Sequence, residues 1–190
     1  QEMIEKFSLE NITRSPAAFN PEKLLWLNGH YLKTADTKRV AELLLPFLRK
    51  RGVLDGGAQP DSAWLEKLVV ALRERAQTLV EMADKAAPFF QESVIMDQEA
   101  AKKFLTVAVR PAFARLVAVL DQTSVFEHDA LEQGFKSVLA ETGLSMGKLA
   151  QPVRVALTGT TVSPGIFDVM VLLGRDRTLA RLKKAIDLMC

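Results

Sequence analysis

Two histidines, one cysteine and 23 carboxylates are the side chains that could carry metal, nucleophilic or acid–base chemistry. Their spacing supplies none of it. His30 and His128 are far apart and neither belongs to an HExxH pattern, so no metal site is indicated. His30 falls at helical spacing among apolar residues and is expected as a partly buried packing residue. Cys190 is the last residue, with no histidine near it in sequence, and chain ends fray. As the sole cysteine it can form no internal disulfide, which fits a reducing compartment and a cytoplasmic setting. No Walker glycine loop, Rossmann fingerprint or GxSxG elbow occurs. Ser163-Pro164-Gly165-Ile166 is a turn into a helix, not a nucleophile motif. The carboxylates fall at caps or on exposed faces, and no acid–base pair can be nominated. By itself the chain is expected to catalyse nothing and to hold no cofactor.

The charge is uneven. From Leu144 to Cys190 there are seven Lys/Arg against three Asp/Glu, and the remainder holds 18 against 20. A weakly basic C-terminal third suits a phosphate backbone, although Arg175, Arg177, Arg181, Lys183 and Lys184 read mostly as a solvated helix face. With 190 residues, 48% of them hydrophobic, the chain can bury a real core. No run approaches the roughly 18 unbroken apolar residues of a membrane span. The first seven residues are charged, lack a signal-peptide core and lack an initiator methionine, which reads as a piece of a longer protein.

The elements that must position any site are helices, since helical periodicity dominates and strict alternation is missing. Asn20 caps a helix with Pro21 at its first position, followed by Leu24, Leu25, Trp26, Leu27 and Tyr31; this spacing predicts Trp26 and Tyr31 in the core. Asp36 opens the next helix, with Val40, Leu43, Leu44, Phe47 and Leu48 as its stripe and Gly52 as its end. Residues 55–60 form a loop, and Asp61 or Ser62 caps a helix through Leu72. A short helix spans Thr78 to Ala87 and stops at Pro88; Phe89 and Phe90 begin a connector and serve packing. Asp97 caps a helix that breaks near Arg110 before Pro111. Glu127 to Glu141 is a helix closed by Gly143. Leu149 to Leu157 reads equally as a strand or a buried helix. Residues 159–165 form a loop, and Gly174 separates two last helices.

Two segments carry a resemblance. Phe19-Asn20-Pro21-Glu22-Lys23-Leu24-Leu25-Trp26-Leu27-Asn28-Gly29-His30-Tyr31 resembles the stretch that follows the catalytic half of bacterial-type glutamyl-tRNA synthetases. Met146 to Gly159, continued by Ser163-Pro164-Gly165-Ile166-Phe167 and Leu172-Leu173-Gly174, is similar to the same family's C-terminal signature. The resemblance implies an all-α anticodon-binding region of two packed helical subdomains, a helical cage. It divides the chain into the end of a stem-contact helical segment (1–18), a first subdomain (19–93) and a second (94–190). It further implies a ligase parent, a class I aminoacyl-tRNA synthetase that joins glutamate to its tRNA with ATP and magnesium. Neither ATP-binding signature of that family, of the HIGH or KMSKS type, occurs here. The implied partner is the anticodon loop of glutamate tRNA, and the implied state a monomer.

The resemblance also implies a site. An arginine on a helix of the first subdomain reads the third anticodon base, and matching Ala63-Trp64-Leu65 to the start of that helix puts Arg75 there, with Arg73 as the rival. Gln151 and Arg154 match positions that face the bases; three apart, they share one face of a helix. Pro152 is compatible with that helix's first turn. Ser163, Pro164 and Ile166 would form a turn whose backbone and apolar atoms abut a base. The alternative is a helical protein–protein adaptor without tRNA binding, marked by a broad exposed apolar stripe and scattered arginines.

Overall fold

The computed structural model describes residues 2–11, 18–55 and 57–189. Within them lie ten α-helices and no strand: α1 (Glu2–Lys6), α2 (Pro21–Thr34), α3 (Thr37–Lys50), α4 (Ser62–Leu72), α5 (Leu79–Phe90), α6 (Gln98–Phe104), α7 (Arg110–Gln122), α8 (His128–Thr142), α9 (Met146–Thr158) and α10 (Ile166–Leu188). Cys190 and Gly56 lie outside the described residues.

Several helix starts follow from short polar side chains. The carboxylates of Asp36, Asp61 and Asp97 and the amide of Asn20 each accept the N–H three residues on. Pro21 and Pro111 occupy first-turn positions, where no intrahelical donor is lost. The expected break before Pro111 is present, as a turn of 3-10 helix over Val107–Val109. Leu149 to Leu157 is helical, within α9, and not a strand.

Helices α3, α4 and α5 pack on one another, as do α6 to α10, with α10 central among the latter. Phe113, Leu116 and Leu120 of α7, Phe135 of α8, Val153 of α9 and Met170 of α10 are fully buried. The two groups meet where α4 touches α10 and α5 touches α9. At that seam Trp64 packs edge-on against Phe90, 5.2 Å between ring centroids, and its Nε1 donates to the Leu172 carbonyl at 2.9 Å. Gly174, φ 74° and ψ 170°, breaks α10 as the sequence predicts, in a region of backbone space that is essentially glycine's. The break frees carbonyls at Leu172 and Leu173, which Trp64 and the Arg177 Nε take. Trp64→Phe keeps the ring contact and deletes the bond, so urea unfolding should show a loss of about 1 kcal/mol.

Several sequence expectations are corrected. Pro88 does not stop α5, which runs on to Phe90. The carbonyls at the end of α5 accept from arginines of α10: Arg177 Nη1 donates to Phe89 O at 2.6 Å, and Arg181 Nη2 to Pro88 O at 2.7 Å and Gln91 O at 2.5 Å. Arg181 Nη1 reaches Leu157 O at the end of α9. Arg181 is only 3% exposed, and burial, followed by the charge of Arg177, pushes it down to about 10. It therefore stays a cation at neutral pH, set against the negative ends of two helices. Arg175 caps α7, donating to Leu120, Asp121, Thr123 and Ser124 carbonyls. These three arginines are structural clamps, whereas Lys183 and Lys184 are exposed. Pro152 is the seventh residue of α9, buried, and not in its first turn; the Lys148 carbonyl it leaves unpaired lies on an exposed residue. Trp26 and Tyr31 are 63% and 62% exposed, not in the core, and His30 is exposed and stacked on Trp26. Phe89 is buried and Phe90 half-buried, both in packing.

Candidate nucleic-acid interface

Residues 160–165 connect α9 to α10, and α9 carries the side chains that hold them. Gln151, Arg154 and Thr158 recur at three- and four-residue spacing and so lie along one face. Gln151 Nε2 donates to Thr161 O at 2.9 Å. Arg154 Nη1 donates to Ser163 O at 3.0 Å, Pro164 O at 2.7 Å and the Ser163 hydroxyl. Thr158 Oγ1 donates to Arg154 O, with Thr160 O at 3.3 Å, and Thr160 Oγ1 donates to Val162 O at 2.9 Å. The Gly165 carbonyl receives Val169 N–H at 2.9 Å. Every carbonyl from Thr160 to Gly165 thus has a donor within reach. The N–H groups of Thr161, Val162, Ser163 and Gly165 have no protein acceptor among the described residues. Within the described residues, the connection's carbonyls are matched with donors and several of its N–H groups are not matched with acceptors.

Gly159 sets where this loop starts. It ends α9 with φ 77°, and its carbonyl accepts Asp97 N–H at 2.9 Å. A Cβ there would lie 2.3 Å from the Ile95 carbonyl oxygen.

Arg75 faces the loop from the other group of helices. It ends a 3-10 turn, Arg73–Arg75, that follows α4, so it is not on the α-helix proper. Its side chain is exposed and has no hydrogen bond or ion pair within the described residues, unlike Arg73, which is half-buried and lies 3.4 Å from the Thr37 hydroxyl. Arg75 borders three adjoining cavities. One of about 340 Å³ lies between it, Pro88, Phe89, Thr158, Ser163 and Pro164. A groove of about 1100 Å³ runs past Thr37, Val125, His128, Gly165 and Asp168. A third, of about 500 Å³, is bounded by Trp26, His30, Lys33 and Gln77. Burial, and then the nearby Arg75 charge, holds the Arg154 guanidinium below its usual range.

The expected site residues therefore gather around one loop. Gln151 and Arg154 brace it with the donors described, Ser163 and Pro164 lie in it, and Arg75 looks onto it. Ile166 is 6% exposed, its side chain in the core, while Val162, which the sequence reading passed over, is 71% exposed at the loop's outer edge. Sequence reading also missed the clamp made by Arg177 and Arg181; the available signal was an arginine pair four apart among Leu179, Leu182 and Ala185. His128, Asp129 and Glu132 bring ligand atoms within 4.8 Å of one another on the first turns of α8. Glu132 is already paired with Lys136 at 2.9 Å, and His128 packs edge-on against Phe167. The apolar stripe that an adaptor would show is present on α2, but the arginines are grouped.

Residues 39–186 match a family model described as the anticodon binding domain. The chain is 48% identical over 186 residues to glutamate–tRNA ligase of Geotalea uraniireducens and 46% identical to that of Geobacter sulfurreducens, each covering 98% of this chain and 39% of the relative. The chain thus spans well under half the length of these relatives. A crystal structure of a glutamate tRNA ligase from Elizabethkingia meningosepticum superposes with a TM-score of 0.88 at 23% identity, covering all of this chain and 36% of that one. That likeness concerns the fold.

Proposed function

The chain belongs to the anticodon binding domain family, and we propose that it is the tRNA-reading module of a glutamate–tRNA ligase. The observation that carries this reading is the placement of Arg75: its guanidinium, without a partner among the described residues, lies across a cavity from a loop whose carbonyls have donors within reach. Unpaired anticodon bases are read by hydrogen bonds to their Watson–Crick edges and by stacking. Arg75 offers donors and no acceptor. It pairs with O2 and N3 of cytosine, whereas guanine presents N1–H and an N2 amine on that edge. Glutamate and glutamine anticodons differ by this exchange at the third base. Gln151 and Arg154 act one step behind, fixing the loop that carries Ser163 and Pro164 and leads into Ile166 at the start of α10.

Joining glutamate to tRNA with ATP and magnesium belongs, in this reading, to polypeptide beyond these 190 residues. The work is cytoplasmic, the chain acts as a monomer, and its own residues hold RNA.

Titrating the chain with a glutamate-tRNA anticodon stem-loop at two salt concentrations tests the reading. Affinity should fall with salt. A loop with guanine at the third anticodon base should bind about 5- to 150-fold more weakly, the range for about 1–3 kcal/mol from one base contact. Arg75→Gln should remove most of that preference, and Arg73→Gln should leave it. Equal binding of both loops by the unaltered chain defeats the assignment.

A further inference from the structure

Arg181 carries a donor that no carbonyl takes. Its Nη1 donates to Leu157 O, and its Nη2 to Pro88 O and Gln91 O. Its Nε is buried and has no acceptor among the described residues. The side chain as a whole is 3% exposed, and a buried donor without an acceptor is costly. Beside it is a cavity of about 80 Å³, lined by Glu92, Ser93, Val94, Ala156, Arg181 and Lys184. That is room for a few water-sized spheres and not for a nucleotide.

Arg181 and Lys184 lie three apart on α10 and share a face. Neither Lys184 nor Ser93 has a hydrogen bond or ion pair within the described residues. Arg177 and Glu92 both lie close enough to act on the Arg181 charge. Three cations thus stand against one carboxylate, and the surplus attracts an anion. The remaining donors choose its shape. Both Nη atoms, the fork that grips a carboxylate or phosphate by two bonds, are spent on carbonyls. What is left is one N–H, one hydroxyl and one ammonium, on three separate side chains. Single donors around a small space suit a spherical ion that accepts from any direction. We propose, independently of the ligase reading, that this cavity binds a small monovalent anion of the chloride type, held by Arg181 Nε, the Ser93 hydroxyl and the Lys184 ammonium.

The ion accepts from the Nε–H that the carbonyls leave over, and it offsets a guanidinium charge held out of water. It also ties the 91–96 connection to α10, at the joint where α5 and α9 end. Ser93 and Lys184 are exposed and form the outer side of the site, so the ion enters and leaves without unfolding the chain. Glu92 shares that rim and weakens the hold.

Thermal unfolding of the chain in sodium chloride and in sodium gluconate at equal ionic strength tests this, together with a bromide-soaked crystal measured at the bromine absorption edge. The folded-to-unfolded ratio should be about tenfold higher in chloride, a rise of roughly 3–6 °C in melting temperature at this size. Ser93→Ala combined with Lys184→Gln should erase the chloride advantage while melting in gluconate stays within about 2 °C. Glu92→Gln should tighten chloride binding by about 1.5- to 5-fold, the range for one exposed charge; looser binding would overturn the proposal. In the crystal, an anomalous peak is expected in contact with Arg181 Nε. Equal melting in the two salts overturns the proposal, as does a chloride advantage that survives in the double variant. So does a water or the Glu92 carboxylate on Nε in place of bromide. A bromide peak without the melting shift overturns it too, as an adventitious ion only. Should the double variant unfold, the unaltered chain and the bromide map still decide.

Discussion

Gly159→Ala should cost the chain more than about 3 kcal/mol and leave much of it unable to hold the 160–165 loop. Two penalties add. A φ of 77° lies in the left-handed region, which costs an L-residue with a Cβ about 1–2 kcal/mol. The new Cβ would also stand 2.3 Å from the Ile95 carbonyl oxygen. That atom is backbone, in a segment tied down by the bond from Asp97 N–H to Gly159 O, so relief requires moving the chain between α5 and α6. Gly52→Ala is the matched control, with φ 66° but nothing within 4 Å of the added carbon; it should show the backbone penalty alone. Thermal unfolding separates them: at about 2–4 °C per kcal/mol for this size, the Gly159 variant should melt roughly 6–12 °C lower or worse, the control about 2–8 °C lower. Equal shifts would show that the clash is absorbed without cost.

Arg181→Met should be nearly as damaging, by about 2–5 kcal/mol, because it strands acceptors and not because it loses a surface charge. Methionine fills much of the volume but donates nothing, leaving Leu157, Pro88 and Gln91 carbonyls without the guanidinium. A buried group left unmatched costs about 1–3 kcal/mol, which applies in full to Leu157 O and in part to the less buried Pro88 and Gln91 carbonyls. Arg181→Lys keeps the charge but not the planar fork, and should fall between the two. The same change loosens the joint between the end of α5 and the end of α9, so stem-loop affinity should drop at temperatures where circular dichroism shows the helices intact. A variant that unfolds in urea like the parent would show that water replaces the guanidinium.

The sequence was most legible where structure is decided within a few residues. The Asn20, Asp36, Asp61 and Asp97 caps, the Gly143 end and the Gly174 break depend on local side-chain or backbone chemistry. It misled where distant residues compensate a local cost. Pro88 breaks helices on local grounds, yet α5 runs on to Phe90, and arginines some 90 positions away take the carbonyls at its end. Periodicity identified an apolar face on α2 but carries no information about what covers it, so Trp26 and Tyr31 were placed in a core that these residues do not provide. Of the site, Arg75, Gln151, Arg154, Ser163 and Pro164 were named from resemblance, and the structure gathers them. That the Arg154 guanidinium is spent on Ser163 and Pro164 follows only from the folded geometry, because it depends on the path taken by 160–165.

On the proposed reading, that path would be settled before any RNA arrives. With its acceptors matched by α9 and its own side chains, the connection has few alternative shapes to give up, so on the proposed reading little conformational entropy would be lost when a base is captured. On the same reading, a mismatched nucleotide would find no second loop shape into which it could be accommodated.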